Sequence, residues 1–263
     1  KGIKLMSVVV AIKDKEKDLI YMGCDSQVTM GTGKRTLKSV NNFKIWKVDD
    51  RFNCLMGGVG ARRDLCFLRA TPGLIPTTNA LINQLSYNEV VTDIVPSMIQ
   101  TLVSYGLYPK NPLCKPAFDE DGCGSMGALN SQFLIAVGGN LYSVGVDGTV
   151  EEVEDYIAIG SGGDLASGSL LATEKTKMTP EERIVKAITA AARGDAYVSK
   201  PIIVSNTDSE WFTIYGEEIE KISSDHMEMA TKGGKDGNSK DDDKGKGDRP
   251  ANTKGNGTLL RKK

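Results

Sequence analysis

The stretch SVVVAIKDKEKDLIYMGCD, residues 7–25, starts with a hydroxyl residue on one apolar run and ends with a carboxylate on another. The two runs, SVVVAI and LIYMGCD, are separated by charged residues, which predicts a β-hairpin. About twenty residues further on, Lys44 lies inside a third apolar run, FKIWKV. Ser7, Asp25 and Lys44 would thus place a hydroxyl, a carboxylate and an amine on neighbouring strands.

The composition is that of an ordinary globular protein. Of the 263 residues, 40% are hydrophobic and 25% are charged, which provides ample material for a core. The net charge of −1 gives no overall field that would attract nucleic acid or an anionic membrane. No run approaches the length of a membrane span, and the start KGIKLMSVVVAIKD lacks the features of a signal peptide. These features predict a cytoplasmic protein with no membrane or nucleic-acid partner.

The histidine and cysteine content limits the catalytic units and metal sites that the chain could form. The single histidine, His226, lies at the margin of a hydrophilic tail, so a Ser-His-Asp or Cys-His catalytic unit is excluded. The five cysteines are scattered without metal-ligand spacing, so no metal or cofactor is expected. They are predicted to be buried, reduced thiols, although two of them flank a loop and could form a bridge. The cysteines are Cys24, Cys54, Cys66, Cys114 and Cys123.

The first half of the chain alternates strands and helices. Residues 26–42, rich in Gly, Thr and Lys, predict an exposed loop, and residues 43–58 predict a second hairpin. A helix is predicted over 61–70, and a longer helical stretch over 80–105 that Pro96 would kink or divide.

The second half repeats this order after a long irregular loop at 106–130, which we expect to be functional or mobile. Three glycine-bounded strands follow, then a helix in DLASGSLLATE and a helix beginning at Thr179, which has the signature of an N-cap. PIIVSNT and WFTIYG supply two further strands. Paired helices between sets of strands predict an α+β protein, a four-layer αββα sandwich.

Three segments are expected. Residues 1–6 are an N-terminal extension or propeptide, residues 7–222 form the domain, and residues 223–263 form a disordered hydrophilic tail because they lack the apolar content to fold. Met6 directly precedes Ser7, which is compatible with an alternative start or with a segment removed in processing.

Several of these segments together resemble the proteasome β-subunit and HslV family of N-terminal-nucleophile (Ntn) hydrolases. The resemblance runs from about Ser7 to about Ile214 and is carried by SVVVAI, GCDSQVTMG, FKIWKV, CLMGGVGARRD, IAIGSGGDLA and AITAAARGDAYVSKPIIV. It implies the same αββα sandwich.

The resemblance also implies roles for individual residues. Ser7 stands at the nucleophile, where the family normally has threonine, with Asp25 and Lys44 beside it. Met56 would line the first specificity pocket, which implies a preference for apolar residues. The implied catalytic residues are Ser7, Asp25, Lys44, Gly58 (oxyanion N–H), Ser161 and Asp195, and the implied substrate-binding residues are Thr29, Met56 and Gly60.

The chemistry of these residues agrees with that reading. A free α-amine has a pKa near 8 and can accept the proton of the Ser7 hydroxyl, and the nearby Lys44 ammonium would lower the pKa of both groups. The amine exists only if residues 1–6 are removed. Taken singly, Asp25 and Lys44 also fit an ordinary ion pair, Ser161 a helix cap and Gly58 a turn.

The leading functional hypothesis is the peptidase subunit of a proteasome- or HslV-like ATP-dependent protease. It implies a homo-oligomeric ring, an unfolded protein or peptide as substrate, and a separate ATP-dependent unfoldase, since the chain contains no GxxxxGK[ST] motif. The alternatives are a catalytically inactive assembly or scaffold protein with the same fold, and a small-amide Ntn hydrolase.

Overall fold

The computed structural model describes residues 6–30, 33–48, 53–75, 85–107, 129–216 and 219–223. The strands, numbered in chain order, are β1 (Val9–Asp14), β2 (Leu19–Asp25), β3 (Gln27–Met30), β4 (Gly33–Thr36), β5 (Ile45–Lys47), β6 (Cys54–Gly60), β7 (Ser131–Val137), β8 (Asn140–Val144), β9 (Val150–Glu152), β10 (Tyr156–Ile159), β11 (Ile202–Asn206), β12 (Trp211–Tyr215) and β13 (Ile219–Ser223). The helices are α1 (Arg62–Ala70), α2 (Tyr87–Glu89), α3 (Val95–Ser104), α4 (Gly163–Thr173) and α5 (Pro180–Gly194).

The first sheet is antiparallel and has six strands in the order β10–β1–β2–β11–β12–β13. Its centre is the predicted hairpin, in which Val9 of β1 lies opposite Cys24 of β2. Strand β1 is buried on both faces: Val9 and Ala11 face the second sheet, while Val10 and Ile12 face helices α4 and α5. This double burial explains why the run is continuously apolar rather than alternating.

The second sheet has five antiparallel strands in the order β5–β6–β7–β8–β9. On its inner face, Leu55 and Leu134 join the core shared with the first sheet. On its outer face, Met56 and Phe133 pack beneath helices α1 and α3. The layers therefore run helix, sheet, sheet, helix, and the predicted αββα sandwich is confirmed.

The predicted start of helix α5 is a capping box. The Thr179 hydroxyl accepts the backbone N–H of Glu182, and the Glu182 carboxylate accepts the backbone N–H of Thr179 at 2.8 Å. Pro180 occupies the first turn, where a missing N–H costs nothing. The helix buries Ile184 and Ile188 against the first sheet, beside Val10 and Ile12 of strand β1.

Two predicted segments differ from the structure. The expected loop 26–42 contains the β3–β4 hairpin, which pairs Gln27 with Thr36. All of β4 is exposed, so no alternation of apolar and polar residues marks it in the sequence. The expected helix 80–105 begins in the described residues as α2, followed by a π-helical turn over Val90–Ile94 and then α3, with Pro96 in its first turn.

The described cysteines differ in solvent exposure. Cys24 and Cys54 are buried as predicted, whereas Cys66 lies on the exposed face of α1, so the expectation was wrong for it. Cys114, Cys123 and His226 lie outside the described residues, as do most of the 106–130 loop and nearly all of the predicted tail. Among the described helices, none is long and apolar enough to cross a membrane.

Candidate active site

Ser7, Asp25 and Lys44 meet at one carboxylate oxygen. The Ser7 Oγ–H donates to Asp25 Oδ1 at 2.6 Å, and Lys44 Nζ donates to the same oxygen, also at 2.6 Å. Because each lies 2.6 Å from that oxygen, Ser7 Oγ and Lys44 Nζ are separated by at most twice 2.6 Å. The pairing of β1 with β2 brings Ser7 beside Asp25, and Lys44 directly precedes β5 at the edge of the second sheet.

The carboxylate of Asp25 is fully buried and is held by two further donors. The backbone N–H of Val8 donates to Oδ1 at 3.1 Å, and that of Gln27 donates to Oδ2 at 3.0 Å. Lys44 is 5% exposed and Ser7 is 2% exposed. A buried charge of this kind is tolerated only when it is paired and hydrogen-bonded, which the arrangement satisfies.

The glycine turn after β10 holds the main chain of Ser7. Ser161 Oγ accepts the Ser7 backbone N–H at 3.1 Å and lies 3.3 Å from the Ser7 carbonyl oxygen, to which the Gly162 N–H also donates. Gly160 has a φ of +95°, and a Cβ at this position would lie 2.3 Å from the Ser7 carbonyl oxygen. Only glycine permits this approach.

A cavity of about 120 Å³ opens beside the Ser7 hydroxyl. Thr29 and Gly60, predicted to flank an extended substrate, both line it, and so does Gly58. The N–H of Gly58 donates to the Lys44 carbonyl oxygen at 2.9 Å, so this N–H is occupied by the strand pairing in the structure. Its predicted oxyanion role requires that this hydrogen bond be shared or exchanged.

Two predicted site residues neither line this cavity nor form a hydrogen bond to Ser7 in the described structure. Met56 is fully buried in the outer core beneath α1 and α3, because alternate residues of β6 face that layer. Asp195 is the C-cap residue of α5, and its Oδ1 accepts the Tyr197 backbone N–H at 2.8 Å. Its Oδ2 is buried without a hydrogen-bond partner among the described residues. The roles of both residues remain predictions.

Comparisons with known proteins agree with this architecture. Residues 131–206 match the sequence profile of the Proteasome family, described as proteasome subunit. The predicted resemblance to the proteasome β-subunit and HslV family is confirmed. A search of curated proteins gave no match.

Solved structures with this fold include "Thiobacillus denitrificans BPH", which is 19% identical over 76% of this chain and 96% of that chain, with a TM-score of 0.57. BPH of the same organism in complex with epoxomicin is 20% identical over 76% of this chain and 97% of that chain, with a TM-score of 0.51. HslV from Trypanosoma brucei is 16% identical over 76% of this chain and 98% of that chain, with a TM-score of 0.51. The chain therefore has the fold of the proteasome and HslV family.

Within that fold, Arg69 of α1 positions the segment that carries Lys44. Its guanidinium donates to the carbonyl oxygens of Val40, Phe43 and Ile45 and lies 5.1 Å from the centre of the Trp46 ring. Burial lowers the pKa of Arg69 to about 10, so it remains a cation at neutral pH. Sequence reasoning missed this residue, because its contacts join parts of the chain that share no local pattern.

Cys24 lies directly before Asp25 but has no place in the proposed chemistry. It is fully buried, and desolvation raises the pKa of its thiol to about 12. A thiol with that pKa is protonated at neutral pH and is a poor nucleophile. Ser7 is therefore the better nucleophile candidate of the two.

Two other residues at the site were also missed by sequence reasoning. The Gln27 side-chain amide donates to the Ala196 carbonyl oxygen at 3.0 Å and to Thr29 Oγ1 at 3.3 Å, which ties β3 to the segment after α5. Arg62, the first residue of α1, lines the cavity. The sequence contains two consecutive arginines at 62–63, but no local sequence pattern indicates which of the two faces the site.

Proposed function

We propose that the chain is the peptidase subunit of a proteasome- or HslV-like ATP-dependent protease, with Ser7 as an N-terminal nucleophile exposed by removal of residues 1–6. The observation that carries the proposal is the single Asp25 oxygen that accepts both the Ser7 hydroxyl and the Lys44 ammonium. The fold adds support, since it is the fold of the proteasome and HslV family.

The base in this proposal is the α-amine of Ser7. While Met6 is attached, the Ser7 nitrogen is an amide and cannot accept a proton at neutral pH. Once the bond to Met6 is cleaved, the neutral amine takes the proton of the Ser7 hydroxyl as the oxygen attacks the substrate carbonyl. The amine then returns the proton to the leaving nitrogen of the substrate. Water hydrolyses the resulting ester by the same steps and regenerates Ser7.

Asp25 and Lys44 orient the nucleophile in this scheme. The carboxylate fixes the Ser7 hydroxyl, and the ammonium places positive charge close to the developing oxyanion and disfavours protonation of the amine. Ser161, which accepts the Ser7 N–H at 3.1 Å, is positioned to hold the freed amine. Gly58 would supply the oxyanion N–H by exchanging its hydrogen bond to the Lys44 carbonyl for one to the substrate.

The assembly is part of the same proposal. A homo-oligomeric ring would enclose the Ser7 sites in a chamber and restrict access to unfolded chains. The chain contains no GxxxxGK[ST] motif, so a separate ATP-dependent unfoldase would deliver the substrate.

Hydrolysis assays on casein and on short peptide amides test the function, together with intact mass of the purified protein. We expect a mass that begins at Ser7, cleavage of both substrates, and labelling by epoxomicin, the ligand of the Thiobacillus denitrificans neighbour. Ser7→Ala should abolish cleavage of casein, cleavage of the peptide amides and labelling by epoxomicin. Ser26→Ala is the matched control, because Ser26 is equally buried next to Asp25 and its hydroxyl has no hydrogen-bond partner in the described structure.

The alternatives give different results. Cleavage of small amides without cleavage of casein would indicate a small-amide hydrolase. An intact residue 1–6 extension with no hydrolysis would indicate an inactive scaffold protein. Activity that survives in Ser7→Ala would refute the role of Ser7.

A further inference from the structure

The cavity beside Ser7 carries an excess of positive charge. Among the described residues that line it, Lys44 and Arg62 are cations, and none is an aspartate or a glutamate. Apolar surface comes from Val28, Val59 and Leu65. A cavity lined by cations without a carboxylate favours an anionic occupant.

The charge of Lys44 is already balanced, whereas that of Arg62 is not. Lys44 is paired with the buried carboxylate of Asp25. Arg62 donates only to neutral oxygens, the carbonyl oxygen of Asn42 at 3.0 Å and its Oδ1 at 2.8 Å. In the described part of the chain no carboxylate lies within ion-pair distance of Arg62. Three of its five N–H donors remain for a ligand.

Asn42 also fixes where the guanidinium points. Two hydrogen bonds from separate guanidinium nitrogens to one residue hold the planar group in a single orientation, so less conformational freedom is lost on binding. Asn42 lies two residues before Lys44 in the chain, which couples the guanidinium to the same segment as the catalytic lysine.

The start of helix α1 adds no net charge to the cavity. Its N-cap, Ala61, makes no side-chain hydrogen bond to the first N–H groups. Asp64, a fully buried residue in the first turn, offsets the positive end of the helix dipole, and its Oδ1 lies 3.5 Å from Arg63 Nε. The inference therefore rests on the charge of Arg62 and not on the helix.

We propose that this cavity receives an acidic side chain and that Arg62 determines the specificity, so that the enzyme cleaves after Glu or Asp in preference to apolar residues. The inference rests on the proposed function and names its substrate class. It replaces the apolar preference that Met56 implied, because Met56 does not reach the cavity. Met6 forms one wall, so removal of residues 1–6 opens the cavity to the incoming chain.

The test uses peptide coumarin amides that differ only in the last residue, Glu, Gln or Leu. Glu and Gln have the same shape and differ in charge. We expect kcat/KM for Glu to exceed that for Gln by roughly ten- to a hundredfold, the range for a hydrogen bond to a charged group. Arg62→Met should bring the ratio close to one, and Arg62→Lys should leave an intermediate ratio. Arg63→Met is the matched control, since Arg63 does not line the cavity, and should keep the wild-type ratio.

A second measurement separates this inference from the proposed function. Fluorescent Glu and Gln peptides are titrated into Ser7→Ala protein from which residues 1–6 have been removed by cleaving a removable leader, with and without Arg62→Met. Tighter binding of the Glu peptide that depends on Arg62 supports the inference even if the wild type proves inactive. Equal cleavage and equal binding of the Glu and Gln peptides, or a ratio unchanged by Arg62→Met, overturns it while leaving the peptidase proposal intact.

Discussion

Replacing Lys44 with methionine removes the ammonium from the buried pair while keeping an unbranched side chain of similar length. Asp25 then stays fully buried and loses one of its four hydrogen-bond donors and its only ion-pair partner in the described structure. Loss of one hydrogen bond to a charged group costs about 1.5–3 kcal/mol. Leaving a buried charge without its partner raises the cost to about 3–5 kcal/mol. This is a large part of the total stability of about 5–15 kcal/mol that is usual for a domain.

Urea unfolding measures this cost as a change in the free energy of unfolding. The matched control is Lys15→Met, which breaks an ion pair at 2.5 Å to Asp155 whose side chains are 62% and 57% exposed, so that solvent already screens it. We expect no measurable cost for the control. The double variant Lys44→Met with Asp25→Asn should be more stable than Lys44→Met alone, because the uncompensated charge is gone. A cost for Lys44→Met as small as that of the control would refute the reasoning.

The other predictions concern the turn that holds Ser7 and the difference in reactivity between an exposed and a buried thiol. Gly160→Ala places a Cβ 2.3 Å from the Ser7 carbonyl oxygen at a φ of +95°, so we expect lower kcat and at least about 1 kcal/mol of destabilisation, measured by peptide hydrolysis and urea unfolding. Gly168→Ala, which meets open space in helix α4, should leave activity unchanged and stability equal or higher; similar losses in both variants would contradict the account. At pH 8, iodoacetamide should modify exposed Cys66 in the folded protein but not buried Cys24, whose thiol has a pKa of about 12, as measured by mass spectrometry of digests. Modification of Cys24 as fast as that of Cys66 would contradict the account.

The sequence predicted the elements of the fold that carry a local sequence pattern. The hairpin of β1 and β2, the second hairpin and the start of α5 each carry a local signal: continuous apolar runs or a capping box. The β3–β4 hairpin carries none, because backbone pairing holds it and its second strand is exposed. Strand β13 was missed for a related reason: Ile219 and Glu220 at its start are exposed, so the strand lacks a clear apolar pattern.

The candidate site likewise contains residues that the sequence could indicate and residues that it could not. Ser7, Asp25 and Lys44 could be predicted because each lies at the end of a recognisable apolar run and the single histidine, His226, lies outside the predicted domain. The face on which Met56 lies could not be read from the sequence, since the choice between the cavity and the outer core depends on which face of β6 meets helix α1. The specificity proposed for Arg62 likewise depends on a contact between helix and cavity that only the assembled fold provides.

The role of the Ser7 amine can be tested most directly with two preparations of the same chain. One begins at Ser7, produced by cleaving a removable leader, and the other retains residues 1–6 through a block to processing, with both masses confirmed before and after the assay. We predict peptide hydrolysis by the preparation that begins at Ser7 and none by the other. Equal activity of the two preparations would contradict the account, because the retained Met6 leaves an amide where the mechanism needs a free amine.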